Sequence, residues 1–185
     1  MSILKVNTIQ DKGGNTLLVS DGAGTISSGG AITNTPAFLA KRTSNQGSIS
    51  NLTYTKIQYD VEVYDTDNCY DNSTNFRFTP NQAGKYFVYA RALVAETSFT
   101  VNDFKSSYFS IYKNGARWSD YEWEFNNSYI RYMTTSTSAT IDMNGSTDYL
   151  EIYVHNGTVS TNNTLVYANA SREYSIFGAY KLIGA

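Results

Sequence analysis

The chain has 185 residues, of which 16 % are charged, with a formal net charge of -2 and no basic run. That balance excludes the counterion-releasing interface that nucleic-acid binding needs, and no apolar run approaches the ~20 residues of a membrane span. Aromatic residues reach 15 %, with 16 Tyr, in a polar background of Asn, Ser and Thr, a composition suited to β-structure.

This length fits one domain with some extra chain, and roughly 150 residues can bury a sizeable core. Cys69 is the single cysteine, so no intrachain disulfide can form and packing must hold the fold; Cys69 itself reads as a small buried residue. The N-terminus lacks a basic region followed by a continuous apolar stretch, so the expectation is a soluble protein made without a signal peptide. The Asn-x-Ser/Thr sequons at Asn51, Asn72, Asn126, Asn144, Asn156, Asn162 and Asn169 then reflect composition rather than glycosylation.

The first thirty-odd residues form a separate region. Leu4, Val6, Ile9 and Leu17-Leu18-Val19 are punctuated by the turn-forming runs Asp11-Lys12-Gly13-Gly14-Asn15 and Asp21-Gly22-Ala23-Gly24. Two short extended segments are predicted, neither able to form a stable sheet alone, so they need a partner surface. Ser27 to Thr35, rich in Ser, Gly and Thr, reads as a linker. The division expected is residues 1–34 as attachment segment and linker, and 35–185 as the main domain.

From Pro36 the strand signals come regularly. Pro36 to Lys41 reads as a strand, and Leu52 to Tyr64 as a long one whose core face carries Ile57, Tyr59, Val61 and Val63. Asn75 to Thr79 is a short aromatic strand. Pro80, which lacks a backbone donor, and Gly84, which reaches conformations closed to other residues, bracket a tight corner after it. The strand that restarts at Gly84 places Tyr86, Val88, Ala90, Ala92 and Val94 on one face and Phe87, Tyr89 and Leu93 on the other, interrupted only by Arg91. An ordinary sandwich strand turns one face to water, so apolar residues on both faces predict a second chain behind this one.

Ser106 to Tyr112, Arg117 to Phe125 and Tyr129 to Met143 follow as strands, with Asn114-Gly115 and Asn126-Asn127-Ser128 as turns. Asp148 to His155 and Arg172 to Ile183 complete the set. In the last strand Tyr174, Ile176, Gly178, Tyr180 and Leu182 alternate against Phe177 and Ala179, so again both faces are apolar. No segment shows helical periodicity or a convincing cap.

Several of these residues carry a resemblance. The spacing of Tyr70-Asp71, Thr74, Phe78, Pro80, Gly84 and Tyr86 resembles the signature of C1q and tumour-necrosis-factor-like jelly-roll domains, although Val88 and Ala90 stand where aromatics are usual. Ile111-Tyr112-Lys113-Asn114-Gly115 resembles the family's hairpin, Asp148-Tyr149-Leu150-Glu151-Ile152 its penultimate strand, and Ser175 to Leu182 its closing strand. The likeness covers about Thr35 to Gly184. It implies an all-β, ten-stranded jelly-roll sandwich that assembles as a homotrimer. With the two-faced strands, it puts Phe87, Tyr89, Leu93 and Phe177 in the trimer interface. The N-terminal stretch resembles the N-termini of small structural proteins of marine tailed phages, which places the protein in a virion.

Catalytic signatures are missing. His155 is the only histidine, no Gly-x-Ser-x-Gly elbow accompanies it, and no His-Glu-x-x-His, paired-Cys or phosphate-binding loop pattern occurs. Standing just before Asn156-Gly157, His155 reads as an exposed turn residue, with participation in binding or in metal capture at a threefold axis as the alternative. Asp65, Asp67, Asn68 and Asp71 offer oxygen ligands that would suit calcium, without the EF-hand spacing, or form a solvated turn. Trp118, Tyr121 and Trp123, set among Asp120, Glu122 and Glu124, would suit receptor or sugar contact by stacking a pyranose and bonding its hydroxyls. A glycosidase carboxylate pair is disfavoured because Trp118, Asp120, Glu122 and Glu124 share one face and Tyr121, Trp123 and Phe125 the other. The remaining reading is a strand with one apolar and one charged face.

The expectation is a non-enzymatic trimeric virion protein with no cofactor. Its head would belong to a tail fibre or similar appendage and contact a host surface glycan or protein, while the N-terminal segment docks on other virion proteins. The alternative is a capsid decoration or connector protein that clamps neighbouring subunits without binding a receptor. A depolymerase is the third reading and the least favoured.

Overall fold

The computed structural model describes residues 6–23, 26–28, 34–97, 99, 101–127 and 129–183. Leu4, Gly24, positions 29–33 of the expected linker, Ser128 of the second turn and Gly184 lie outside the described residues. The chain divides into a small unit ending at Asn34 and a large one from Thr35 to Ile183.

In the small unit, β1 (Thr8–Gln10), β2 (Thr16–Ser20) and β3 (Ile26–Ser28) form an antiparallel sheet in that order. The Asp11 carboxylate closes the first turn by accepting bonds from the amides of Gly13 and Asn15 and from Asn15 Nδ2, at 2.8 to 2.9 Å. Gly14, at φ 83°, supplies the left-handed residue of that turn. The third strand was not anticipated; it occupies Ser27 and Ser28, where composition reads as linker. Val6, Ile9, Leu17 and Val19 are exposed.

The large unit is a two-sheet sandwich with no helix among the described residues. Its organiser is β10 (Ala83–Glu96). One edge of β10 pairs with β13 (Tyr132–Asn144) from Ala83 to Ala95. The other pairs with β16 (Ile176–Lys181) over Tyr86 to Arg91, then with β15 (Thr164–Tyr167) over Leu93 to Glu96. Outside these lie β4 (Ala37–Lys41) on β16, β7 (Val61–Asp65) on β4, and β5 (Gln46–Ile49) on β15. The second sheet runs β12 (Ala116–Glu124), β11 (Phe104–Lys113), β14 (Leu150–Thr158), β9 (Arg77–Phe78) and β8 (Tyr70–Asp71), with β6 (Thr55–Lys56) also on β14. The strand segments exceed the ten expected because β6, β8 and β9 are two-residue pieces.

The core lies between the sheets. Tyr86, Val88, Ala90, Ala92 and Val94 bring one face of β10 into it, as their alternation predicts. Phe38 stacks on Tyr70 at 4.7 Å and on Phe78 at 4.5 Å, and meets Phe177 edge-on at 4.9 Å. Each such side chain, fully buried, contributes about 1.5 to 3 kcal/mol of transfer free energy.

Three expectations are corrected here. Leu52 to Tyr64 is not one strand: the chain pairs with β14 as β6, crosses the core, and pairs with β4 as β7. Ile57 and Tyr59 plug the core during the crossing, while Arg42 donates to the carbonyls of Ser44 and Gln58 and so satisfies backbone that no strand partners. Val63 is exposed, because β7 is an edge strand paired only with β4. Phe177 belongs to the core rather than an interface, since it is fully buried and packs on Phe38, Tyr59 and Tyr70. His155 does not precede a turn. It sits inside β14 opposite Tyr108, and the strand continues through Asn156-Gly157.

Candidate functional site

The core face of β10 fixes the direction of its other face, where Phe87, Tyr89 and Leu93 are half-buried and Arg91 is exposed. Directly opposite on β16 stand Tyr180, Gly178 and Ile176, and on β13 Thr140, Ser138 and Ser136. The result is an aromatic strip beside a row of small hydroxyls. The Phe87 ring lies 5.5 Å from Tyr180 and 6.2 Å from Tyr89. Gly178 permits the close fit: a Cβ there would stand 2.5 Å from Tyr89 Cζ and 3.0 Å from the Phe38 carbonyl oxygen. Tyr89 thus lies flat across the strand. Burial first, and then the neighbouring Tyr64 hydroxyl, push its ionisation up to about 12, so it stays a neutral donor at physiological pH. Arg91 is drawn aside, donating through Nε and Nη2 to the Glu173 carbonyl at 3.0 and 2.5 Å.

A groove of about 600 Å³ continues this strip across β13 to Asp120 and Tyr121 on β12. β12 is the edge strand of its sheet, paired only with β11. Its aromatic residues are exposed: Trp118 56 %, Tyr121 44 % and Trp123 41 %. They do not make one platform. Tyr121 and Trp123 pair opposite Phe109 and Ser107, which puts them on the core-facing side beyond the end of the core, with rings 5.7 Å apart. Trp118 instead stands beside Lys113, whose ammonium is 5.5 Å from its ring. Asp120, between them in sequence, accepts from Ser110 Oγ at 2.5 Å and from Arg117 Nε at 3.2 Å.

The oxygen-rich loop is closed on itself. Asp71 accepts from the amides of Ser73, Thr74 and Asn75 and from Asn75 Nδ2, at 2.8 to 3.0 Å. Those bonds, the Thr74 amide first, hold its carboxyl well below the usual carboxylate range. Asp65 accepts from the amides of Tyr70 at 2.7 Å and Asp67 at 3.3 Å, and Asp67 accepts from Thr66 Oγ1 at 2.6 Å. Among the described residues no group of three or more His, Cys, Asp or Glu converges as a metal site.

Phe87, Tyr89 and Leu93, named from the sequence, share this face; alternation also sets Gly178 and Tyr180 on one face of the last strand without placing them beside Phe87 and Tyr89, and it misses Tyr64. The signal for Gly178 was present as a glycine within a strand, the mark of a close approach from a neighbouring side chain. Tyr64 carried none, because its neighbour Tyr89 is remote in sequence.

No family model and no curated protein matches the chain. Solved structures do. The globular domain of zebrafish complement 1qA protein superposes with a TM-score of 0.50 at 12% identity, over 80% of this chain and 98% of that one. Murine APRIL superposes with a TM-score of 0.53 at 10% identity in its pH 8.0 crystal structure, and 0.52 at 11% at pH 8.5, each over 79% of this chain and 98% of that one. The large unit therefore has the jelly-roll fold shared by the C1q and TNF-family globular domains.

Proposed function

We propose that this protein is a non-enzymatic homotrimeric binding module of a phage virion, the head of a tail fibre or similar appendage that contacts the host surface. The observation that carries the trimer is the outer face of β10. Phe87, Tyr89 and Leu93, with Tyr180 and Ile176 beside them, form an apolar strip that the protomer leaves half-covered. Monomeric proteins seldom keep such a strip in water, and a second and third copy would cover it. The resemblance to C1q and TNF-like domains favours binding over catalysis. Three heads on one stalk give avidity, so weak individual contacts with a host glycan or protein suffice.

The small unit is the attachment part of this reading. Its short strands expose Val6, Ile9, Leu17 and Val19, a surface suited to docking on other virion proteins, and its sequence resembles phage structural N-termini. The test is gold-labelled antibody against this protein on intact particles. Label at the tail or its fibres supports host attachment. Label over the head moves the assignment to capsid decoration, and no label on virions refutes both.

A further inference from the structure

The second sheet has its own concave site, away from the aromatic strip. It lies where β11 and β14 pair Tyr108 with His155 and Ser106 with Gly157. A cavity of about 240 Å³ opens there, walled by Leu52, Tyr108 and His155 and rimmed by Lys105 and Glu124. Its floor is Gly157. A Cβ at that position would collide with Ser106 Oγ and press on Leu52 Cδ2 at 3.2 Å, so only glycine lets Ser106 and Leu52 pack this closely beside the cavity.

Two features are costly for a purely structural role. Leu52 is 60 % exposed and has φ 52°, the left-handed region that a leucine rarely enters. Its amide is tied to the Asn156 carbonyl at 2.8 Å, and Asn51 Oδ1 accepts the Thr158 amide at 2.8 Å, so the loop is clamped to β14 in this conformation. Meanwhile His155 Nδ1 is buried with no hydrogen-bond partner. The imidazole is held between Tyr54, at 4.7 Å between ring centres, and Tyr108, at 5.2 Å. The Tyr108 hydroxyl is itself bonded to Glu122, which pushes its ionisation up.

We infer that this cavity is a subsite for one hexopyranose unit of a neutral glycan. Its volume is below the roughly 300 Å³ at which drug-sized pockets begin, enough for a single ring. Leu52 and the Tyr108 face supply apolar surface for the C–H side of a sugar. Lys105 only donates, Glu124 only accepts and the Ser106 hydroxyl does both, which matches ligand hydroxyls that also do both. One ammonium and one carboxylate on the rim cancel, which favours a neutral ring over an ionic one. The inference rests on the reading of the domain as an attachment head, and it gives that head a ligand class and a site distinct from Trp118, Tyr121 and Trp123.

The experiment is a titration of the full chain with methyl glycosides of glucose, galactose, mannose and N-acetylglucosamine, followed by NMR of the Leu52 methyl and His155 ring signals. At least one glycoside should shift both signals saturably. Leu52→Asn keeps a residue type that tolerates left-handed backbone while deleting the apolar wall, and should weaken that binding about tenfold or more. No saturable shift with any of the four, or shifts that survive both Leu52→Asn and Tyr108→Ala unchanged, overturns the subsite. Host-cell adhesion separates the two readings. Heads that adhere equally well with Leu52→Asn overturn the subsite and leave attachment standing, whereas wild-type heads that do not adhere overturn attachment whatever the glycosides do.

Discussion

Replacing Tyr89 and Leu93 together by Lys tests the association surface. Both side chains are half-buried in the protomer, so each has roughly half of the ~1.5 to 3 kcal/mol of full burial still to gain against a neighbour. Two residues in each of three interfaces amount to about 5 to 9 kcal/mol per trimer by that measure. At 1.4 kcal/mol per tenfold, this is roughly four to six orders of magnitude in the dissociation constant, before the repulsion of the added ammonium groups. The core should survive, because neither residue belongs to the buried cluster. Sedimentation equilibrium over a wide concentration range should therefore report folded monomers, with the β-sheet circular dichroism of the parent. A variant that remains a trimer of unchanged affinity refutes the placement of the interface on this face.

Phe177→Ala should cost about 3 to 5 kcal/mol of protomer stability in urea denaturation, because it empties a fully buried site among Phe38, Tyr59 and Tyr70; a loss of association without a loss of stability would return Phe177 to the interface. Gly178→Ala should lower stability by about 1 to 3 kcal/mol through overpacking against Tyr89 and the Phe38 carbonyl, and Tyr89→Ala in the same chain should relieve most of that loss in a double-mutant cycle. Asp71 has its pKa lowered in the folded chain, so its stabilising effect is present above the unfolded carboxylate pKa and disappears as pH falls through the folded one. Asp71→Asn should accordingly reduce stability at neutral pH and flatten the acid limb of the denaturation profile; parallel profiles for the two proteins would contradict this.

How far the fold was legible depended on whether local pattern and tertiary pairing agreed. In β10 they agree: the strand begins within a residue of Gly84, burial alternates from Tyr86 to Val94, and the predicted core face is the one buried. Within Leu52 to Tyr64 the alternation holds at Ile57 and Tyr59, which face inward while the chain changes sheet, and fails at Val63, which is exposed on the edge strand. Periodicity reports which side chains are inside and says nothing of which strand they pair with. Phe177 was misplaced because β16 is apolar on both faces, so the pattern could not tell core from interface. Asn156-Gly157 reads as a turn by its dipeptide. Here Asn156 instead accepts from Ser107 Oγ at 2.9 Å and donates to Thr164 Oγ1 at 2.8 Å, and those buried bonds hold it in the strand. The separation of Trp118 from Tyr121 and Trp123 follows the alternation that puts them on opposite faces; the register shift opposite Ile111 and Tyr112 is what no single-strand pattern reveals.

Native mass spectrometry of the unaltered protein tests the central claim most directly. A dominant species with the mass of three chains, persisting at nanomolar concentration, is the predicted result. A stable monomer at micromolar concentration contradicts the account, because the aromatic strip on β10 would then be an exposed face of the finished molecule.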